Sequence, residues 1–230
     1  ITLSMAKNLS GSQRSAAILK NLAHRNYFTT KRHEPVAIYE YHPLFQMFLQ
    51  DSVTNQFSAA ALRELKFLSA KTLISENRIE DAVPLLADLE EWQNLTSLIL
   101  ENAQSLSEQG RLETLLTWIG SLPEELVDQN PWLLFWKATS LKPTDIFTSR
   151  EVFRQSYELF RTTKDPAGIY LSWASAVDSF IYIWGNFRPL DFWLDEFDKI
   201  RNDHPDFPSP EIQGRVTYSI LSALLWRRSD

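Results

Sequence analysis

The chemical group that stands out in the sequence is the imidazole of His42. It lies in the segment YEYHPLF, residues 39–45, and the proline that follows it is typical of the first position of a helix. Imidazole and the unpaired N–H groups of a helix N-terminus together suit an anion, so His42 is a candidate contact for a nucleotide phosphate. The alternative interpretation is a histidine that only caps the helix after a strand.

A second candidate is a basic run formed by Lys31, Arg32 and His33. It separates two short β-branched and aromatic segments, residues 26–30 and 37–41, and this pattern predicts a β-hairpin with a polar loop over residues 31–35. Basic hairpin tips can contact nucleic-acid phosphates. Lys31 and Arg32 are therefore candidate phosphate contacts of a wing, and the alternative is an ordinary solvated loop.

A third set of candidates is aromatic. Concave surfaces of helical repeats bind ligands, and tryptophan is favoured at binding hot spots. Most such side chains belong to the core, because each pair of stacked helices buries an aromatic stripe. The residues that we expect in an effector groove are Trp136, Trp173, Tyr182 and Trp184, with Asp178 as a polar contact.

Several kinds of chemistry are excluded by composition and motif. The 230 residues contain no cysteine, and the four histidines have no metal-ligand spacing. The motifs GxxxxGK[ST], GxSxG and HExxH are also missing. We therefore predict a non-enzymatic segment without a cofactor or metal. No signal peptide and no run of about eighteen apolar residues is present, which predicts a cytoplasmic protein that does not enter the membrane.

The elements that position these residues divide into two parts. Helical spacing over residues 12–25, the hairpin, and a helix from Pro43 with the apolar stripe Leu44, Phe45, Phe48 and Leu49 form the outline of a winged-helix domain. We assign this domain to residues 1–55. The hydrophobic pattern of residues 56–230 is helical throughout.

An internal repeat of 33 residues organises the start of the helical part. Shifting the sequence by 33 aligns four leucine or alanine pairs, and it aligns NRIE at residues 77–80 with GRLE at residues 110–113. The period is that of tetratricopeptide-type units, with turns at Asn77 and Gly110. Further helices are predicted over residues 131–141, 148–163, 166–184, 189–201 and 210–226.

These patterns give a mainly α fold class. We expect a small winged-helix domain followed by an α-α solenoid of tetratricopeptide-like hairpins, and no capping signal follows Trp226, so we expect the solenoid to continue beyond residue 230. Residues 1–50 hold six Lys/Arg and two Asp/Glu, a net +4, whereas residues 51–230 hold seventeen and twenty-seven, a net -10. The acidic part argues against DNA as the ligand of the solenoid.

The sequence also resembles a known family. The segments NYF at residues 26–28 and YEYHPLFQMFL at residues 39–49 are similar to the winged helix of the MalT-like signal-transduction ATPases with numerous domains, which are related to LuxR-type activators. The helical segments DAVPLL (81–86) and GRLETLLTWIGSLP (110–123) resemble those of the same family, over residues 15–140 in all. YIWGNFRPLD, residues 182–191, resembles less-studied relatives whose effector is a bacterial transcriptional activator domain.

The resemblance implies a regulatory role. It implies a nucleotide-binding module that uses ATP and ADP and a DNA-binding domain, both outside this chain, and helical repeats that bind an effector small molecule or regulatory protein. In similar ATPases a winged-helix histidine contacts the β-phosphate of ADP, and His42 matches it, although Pro43 replaces a second histidine of many relatives. Two alternatives stay open: a DNA-binding winged helix with a dimerisation solenoid, and a plain protein-interaction scaffold.

Overall fold

The computed structural model of the protein describes residues 1–34, 36–181 and 186–227. Within these ranges the chain forms thirteen helices and one sheet of two strands, so the predicted mainly α fold class is confirmed. The residues divide into two compact units, Ile1–Leu95 and Thr96–Asp230. No helix in the described ranges is both long and apolar enough to span a lipid bilayer.

The first unit holds five helices and the hairpin in the order that a winged helix requires. In chain order they are α1 (Leu3–Ser10), α2 (Arg14–His24), β1 (Thr29–Glu34), β2 (Val36–Tyr41), α3 (Pro43–Gln56), α4 (Ala59–Ser75) and α5 (Ile79–Asp88). Helix α1 was not predicted from the sequence. The predicted helix over residues 12–25 is α2, and Ser12 accepts a hydrogen bond from the Arg14 N–H at 3.2 Å.

The hairpin is real, but its predicted limits are wrong. The strands pair antiparallel from Thr29 opposite Tyr41 to Glu34 opposite Val36, so residues 31–34 belong to β1 rather than to a loop, and Pro35 lies outside the described residues. The first strand cannot begin at residue 26, because Asn26 and Phe28 have positive φ angles of 53° and 48°. Extended strand backbone requires negative φ.

The winged helix and the first helical hairpin pack together as one unit. Buried Ala6, Leu19 and Tyr39 join α1, α2 and β2. Thr2 accepts a hydrogen bond from the Met5 N–H and donates its hydroxyl to the carboxylate of Glu76, each at 3.1 Å. The predicted domain boundary at residue 55 coincides with the end of α3, whereas the compact unit also includes α4 and α5. The assignment of two domains at that boundary stays a prediction.

The predicted repeat is visible in the limits of the helices. Helices α4 and α6 (Trp92–Glu108) begin 33 residues apart, and so do α5 and α7 (Leu112–Ile119). The predicted turns are also equivalent: Asn77 and Gly110 have φ angles of 58° and 73°, and the following arginine N–H groups donate to Leu73 and Leu106 at 2.9 and 2.8 Å. Asparagine and glycine adopt this left-handed conformation at low cost.

The second unit is built around one buried helix. After α7 come α8 (Glu124–Asp128), α9 (Pro131–Leu141), α10 (Ile146–Thr163), α11 (Pro166–Ile181), α12 (Leu190–Asp203) and α13 (Pro210–Arg227). Helix α11 packs against α10, α12 and α13. A Cβ at Gly168 would lie 2.2 Å from the Phe160 ring, so only glycine permits this approach of α11 to α10. All these helices except α8 were predicted, although residues 182–184 of the predicted α11 lie outside the described residues.

Candidate functional site

His42 occupies the position that its sequence context predicts. Helix α3 begins at Pro43, and Nδ1 of His42 accepts a hydrogen bond from the Leu44 N–H at 3.3 Å. Because Nδ1 is the acceptor, the neutral imidazole carries its proton on Nε2. The side chain is exposed. Pro43 has no N–H and the Leu44 N–H is bonded to Nδ1, so the donor that the N-terminus of α3 presents to an approaching anion is the Nε2–H of His42.

Phe28 holds His42 in place from the end of the preceding turn. Its carbonyl accepts the His42 N–H at 2.7 Å, and the two rings meet edge to face with centroids 6.3 Å apart. A φ angle of 48° is rare for an aromatic residue. A backbone conformation of this kind costs about 1–3 kcal/mol and persists only when the surrounding structure holds it. Such residues are concentrated at functional sites.

His42 lies within an exposed apolar surface of the winged helix. This α3 surface consists of Phe28, His42, Leu44, Met47 and Phe48, whose four apolar members are 63–69% exposed. Phe45 links them from below, since its ring stacks on Phe28 at 5.8 Å and on Phe48 at 6.4 Å. Of the predicted apolar stripe of α3, Leu44 and Phe48 are exposed, whereas Phe45 and Leu49 are partly buried. A contiguous exposed apolar patch on a soluble protein marks an interaction surface.

The predicted wing residues are both exposed, on strand β1. The Arg32 Nε forms an ion pair with a carboxylate oxygen of Glu40 at 3.0 Å across the hairpin. This pairing offsets one of the two positive charges that were expected to contact phosphate. The phosphate contact of Lys31 and Arg32 stays a prediction.

Of the residues predicted to form an effector groove, Trp173 is in the core. Trp173 is fully buried, donates its Nε1–H to the Trp193 carbonyl at 2.6 Å and lies 4.9 Å from the Phe197 ring. A side chain without exposed surface lines no groove, so its assignment there is wrong. Tyr182 and Trp184 lie outside the described residues.

Asp178 stands at the contact between α11 and α13. Its carboxylate accepts the hydroxyl of Ser219 at 2.6 Å. Burial raises the pKa of Asp178, against the opposing effects of the Ser219 hydrogen bond and the charges of Arg215 and Lys142. The described contacts of Asp178 are made within the protein, and they join two helices.

Trp136 does line an open cavity, of about 410 Å³, in the second unit. Its apolar lining comes from α9, α11 and α13 and consists of Trp132, Phe135, Trp136, Leu171 and Ile212. Three charged residues that the sequence did not single out, Glu108, Glu211 and Arg215, also line it. Charged residues on exposed helix faces give no local signal. Only the folded chain, in which α6, α9, α11 and α13 line one cavity, reveals them.

A metal centre has no support in the described residues. No group of three or more His, Asp or Glu side chains among them is arranged to hold a metal ion. Two other arrangements are present. In the first unit His42 lies within an exposed apolar surface, and in the second unit aromatic side chains line a cavity. Both suit the binding of a ligand or a partner.

The order helix, helix, hairpin, helix in the first unit defines a winged-helix protein. Residues 1–61 match the family described as the MalT winged helix domain. This match supports a MalT-like regulator and agrees with the resemblance found in the sequence over these residues. Neither a curated protein nor a solved structure matches the chain.

Proposed function

We propose that the chain is a regulatory, non-catalytic segment of a signal-responsive, ATP-dependent transcriptional regulator. The winged helix couples to a nucleotide-binding module outside this chain, and the helical part binds an effector small molecule or a regulatory protein in the cytoplasm. DNA is bound by a further domain, also outside these residues. The observation that carries the proposal is the match of residues 1–61 to the MalT winged helix domain.

The α3 surface supports the coupling role. Four large apolar side chains, each at least 63% exposed, belong to the same surface as a histidine at a helix N-terminus. A nucleotide-binding module that covered this surface would remove apolar area from water, which is favourable by about 25 cal/mol per Å². The same contact would bring a bound phosphate to the Nε2–H of His42.

Coupling requires that the effector distinguish two states. In the resting state the winged helix is packed on the ADP-bound module, and in the active state it is released. An effector shifts this equilibrium only if it binds the released state more tightly. The helical part then reports the effector through the winged helix without performing chemistry.

The role of His42 is tested in the full-length regulator by ADP release. His42→Ala removes a donor to a charged phosphate, and such hydrogen bonds contribute about 1.5–3 kcal/mol, so we expect ADP to dissociate at least about tenfold faster and basal activity to rise. Stopped-flow release of a fluorescent ADP analogue measures this rate.

His42→Asn is the matched control for this experiment. Asparagine also caps helices, so the variant keeps α3 intact. Its side-chain N–H lies closer to the backbone than the Nε2–H of histidine and does not reach the phosphate. We expect fast ADP release with unchanged thermal stability. Unchanged release rates in both variants would eliminate the sensor role of His42.

The docking role of the α3 surface is tested by Phe48→Glu. Phe48 is 63% exposed, so the substitution should change the free energy of unfolding of the isolated chain by no more than about 0.5 kcal/mol. In the full-length protein it places a charge in an apolar contact and should speed ADP release. The control is Phe147→Glu on α10, a residue 68% exposed. An equal effect of both variants would contradict docking through α3.

A further inference from the structure

We infer that the cavity of the second unit binds a small organic cation with an apolar body. The inference rests on the proposed function in one respect: the bound cation would be the effector of the helical part. The cavity measures about 410 Å³, within the range of small-molecule sites. Its aromatic walls and the charge of its rim determine the class of ligand.

The walls of the cavity are held in place before any ligand arrives. Trp132 donates its Nε1–H to Asp165 at 3.1 Å, and its ring meets those of Phe135 and Phe160 edge to face at 5.7 and 4.9 Å. Trp136 packs against Phe135 in the same manner at 5.1 Å. Indole faces attract cations within about 6 Å of the ring, by about 0.5–2 kcal/mol. A rigid tryptophan-lined wall therefore favours a ligand that carries positive charge.

The lining of the cavity includes two carboxylates from different helices. Glu108 belongs to the last turn of α6, where it accepts a hydrogen bond from the Gln104 amide at 2.9 Å. Glu211 belongs to the first turn of α13. The Glu211 carboxylate accepts hydrogen bonds from Ser209 and from its own backbone N–H. Within the part of the chain that the structure describes, neither Glu108 nor Glu211 forms an ion pair, so no cationic side chain there neutralises their charges.

Among the described residues that line the cavity, one is cationic, and its guanidinium is bonded to the protein. Arg215 donates a guanidinium hydrogen bond to the Ser175 hydroxyl at 2.7 Å. It also lies close enough to Asp178 for its charge to act on that carboxylate. The charge of Arg215 is thereby partly offset, and the rim that faces the cavity is negative overall.

These features separate the cation from other ligand classes. An anion would be repelled by Glu108 and Glu211, and a neutral apolar molecule would gain the aromatic contacts without the carboxylates. A neutral sugar would also leave both charges uncompensated. A ligand with an ammonium group and an aromatic or aliphatic body can contact both: the body packs on the aromatic walls, and the ammonium group pairs with the carboxylates of the rim.

The test is isothermal titration of the 230-residue chain with 2-phenylethylammonium, and with 2-phenylethanol as its neutral counterpart. We expect saturable binding of the ammonium probe that weakens as salt is raised from 20 to 500 mM, because screening acts on charge pairs. The alcohol should bind at least about tenfold more weakly. The salt range extends to either side of 0.1 M, where the Debye screening length is roughly 10 Å.

Variants connect the binding to this cavity. We expect two variants to bind the ammonium probe about tenfold more weakly, a change that corresponds to about 1.4 kcal/mol. One is the double variant Glu108→Gln/Glu211→Gln, and the other is Trp136→Ala. The matched control is Glu101→Gln, an exposed carboxylate of α6 that does not line the cavity. Circular dichroism of each variant checks that the helices are retained.

Three outcomes overturn the inference: equal affinity for the ammonium probe and the alcohol, no binding of the ammonium probe, or binding of a neutral disaccharide alone. Affinity that is unchanged in the Glu108/Glu211 double variant also overturns the assignment to this cavity. Each of these outcomes leaves the ADP-release test of His42 unaffected, because that test is made in another unit and with another ligand. Failure here and failure of the proposed function are therefore distinguishable.

Discussion

Trp173→Ala is expected to lower the free energy of unfolding of the second unit by about 3–5 kcal/mol, as removal of a large buried aromatic side chain does elsewhere. The ring is fully buried in α11 and packs against Phe197, and its Nε1–H is bonded to the Trp193 carbonyl. The substitution leaves a cavity and removes the hydrogen bond from Trp173 to the Trp193 carbonyl. Urea denaturation followed by far-UV circular dichroism measures the loss.

Two further variants make this prediction specific. Trp173→Phe keeps most of the ring but loses the hydrogen bond, so its cost should be about 1–2 kcal/mol. Trp136→Ala changes a partly exposed residue of the cavity wall and should cost less stability than Trp173→Ala while it reduces binding of the ammonium probe. If Trp173→Ala left stability unchanged, the placement of this residue in the core would be wrong.

Glu196→Ala is expected to be the next most damaging change, at about 2 kcal/mol. Glu196 is 4% exposed and joins α12 to α10: its carboxylate accepts hydrogen bonds from the Tyr157 hydroxyl at 2.8 Å, from Arg161 at 3.0 Å and from Lys199 at 2.6 Å. Removal of the carboxylate leaves the buried Tyr157 hydroxyl without its acceptor. Urea denaturation at pH 7 measures the difference from the unaltered chain.

The same carboxylate makes stability depend on pH. Burial alone would raise the pKa of Glu196, but hydrogen bonds from Lys199 and Tyr157 and the charges of Lys199 and Arg161 hold it below its ordinary value. A lowered pKa in the folded state means that the contribution is complete above the ordinary glutamate pKa, about 4.3. It is lost as the pH falls through the lower pKa of the folded state.

Glu196→Gln is the variant for the pH measurement, because it keeps an acceptor for Tyr157 but cannot titrate. The stability difference between the unaltered chain and this variant should shrink as the pH is lowered from 6 to 3. A difference that stayed constant over this range would contradict the role of the ionised carboxylate. Glu158→Gln, at an exposed position of the same helix α10 as Tyr157, controls for a general loss of negative charge.

Local signals were sufficient to predict most of the helices. The cap at His42 with proline after it, the turns at Asn77 and Gly110 and the helix over residues 131–141 all depend on interactions within a few residues, and the structure has them as predicted. Such interactions are nearly independent of the rest of the fold. The limits of the hairpin were not predicted, because Asn26 and Phe28 have positive φ angles. Their turn is held by hydrogen bonds to the end of α2 and by the His42 N–H, which donates to the Phe28 carbonyl.

Periodicity identified aromatic stripes but not their environment. Trp136 and Trp173 look alike in sequence, since each belongs to an apolar helix with several aromatic residues. Helix α11 is covered by α10, α12 and α13, so Trp173 is buried, whereas Trp136 of α9 remains at the edge of a cavity. The degree of burial depends on which helices pack together.

The sequence by itself determined most of the helices, the cap at His42, the 33-residue spacing and the order of α2, the hairpin and α3, because short-range hydrogen bonds and apolar periodicity specify them. The tertiary structure alone decided that Glu108, Glu211 and Trp136 share one cavity. These residues come from three helices distant in sequence, and their approach depends on the sum of many packing contacts. A local sequence pattern does not predict these packing contacts, so the cavity could be found only from the folded chain.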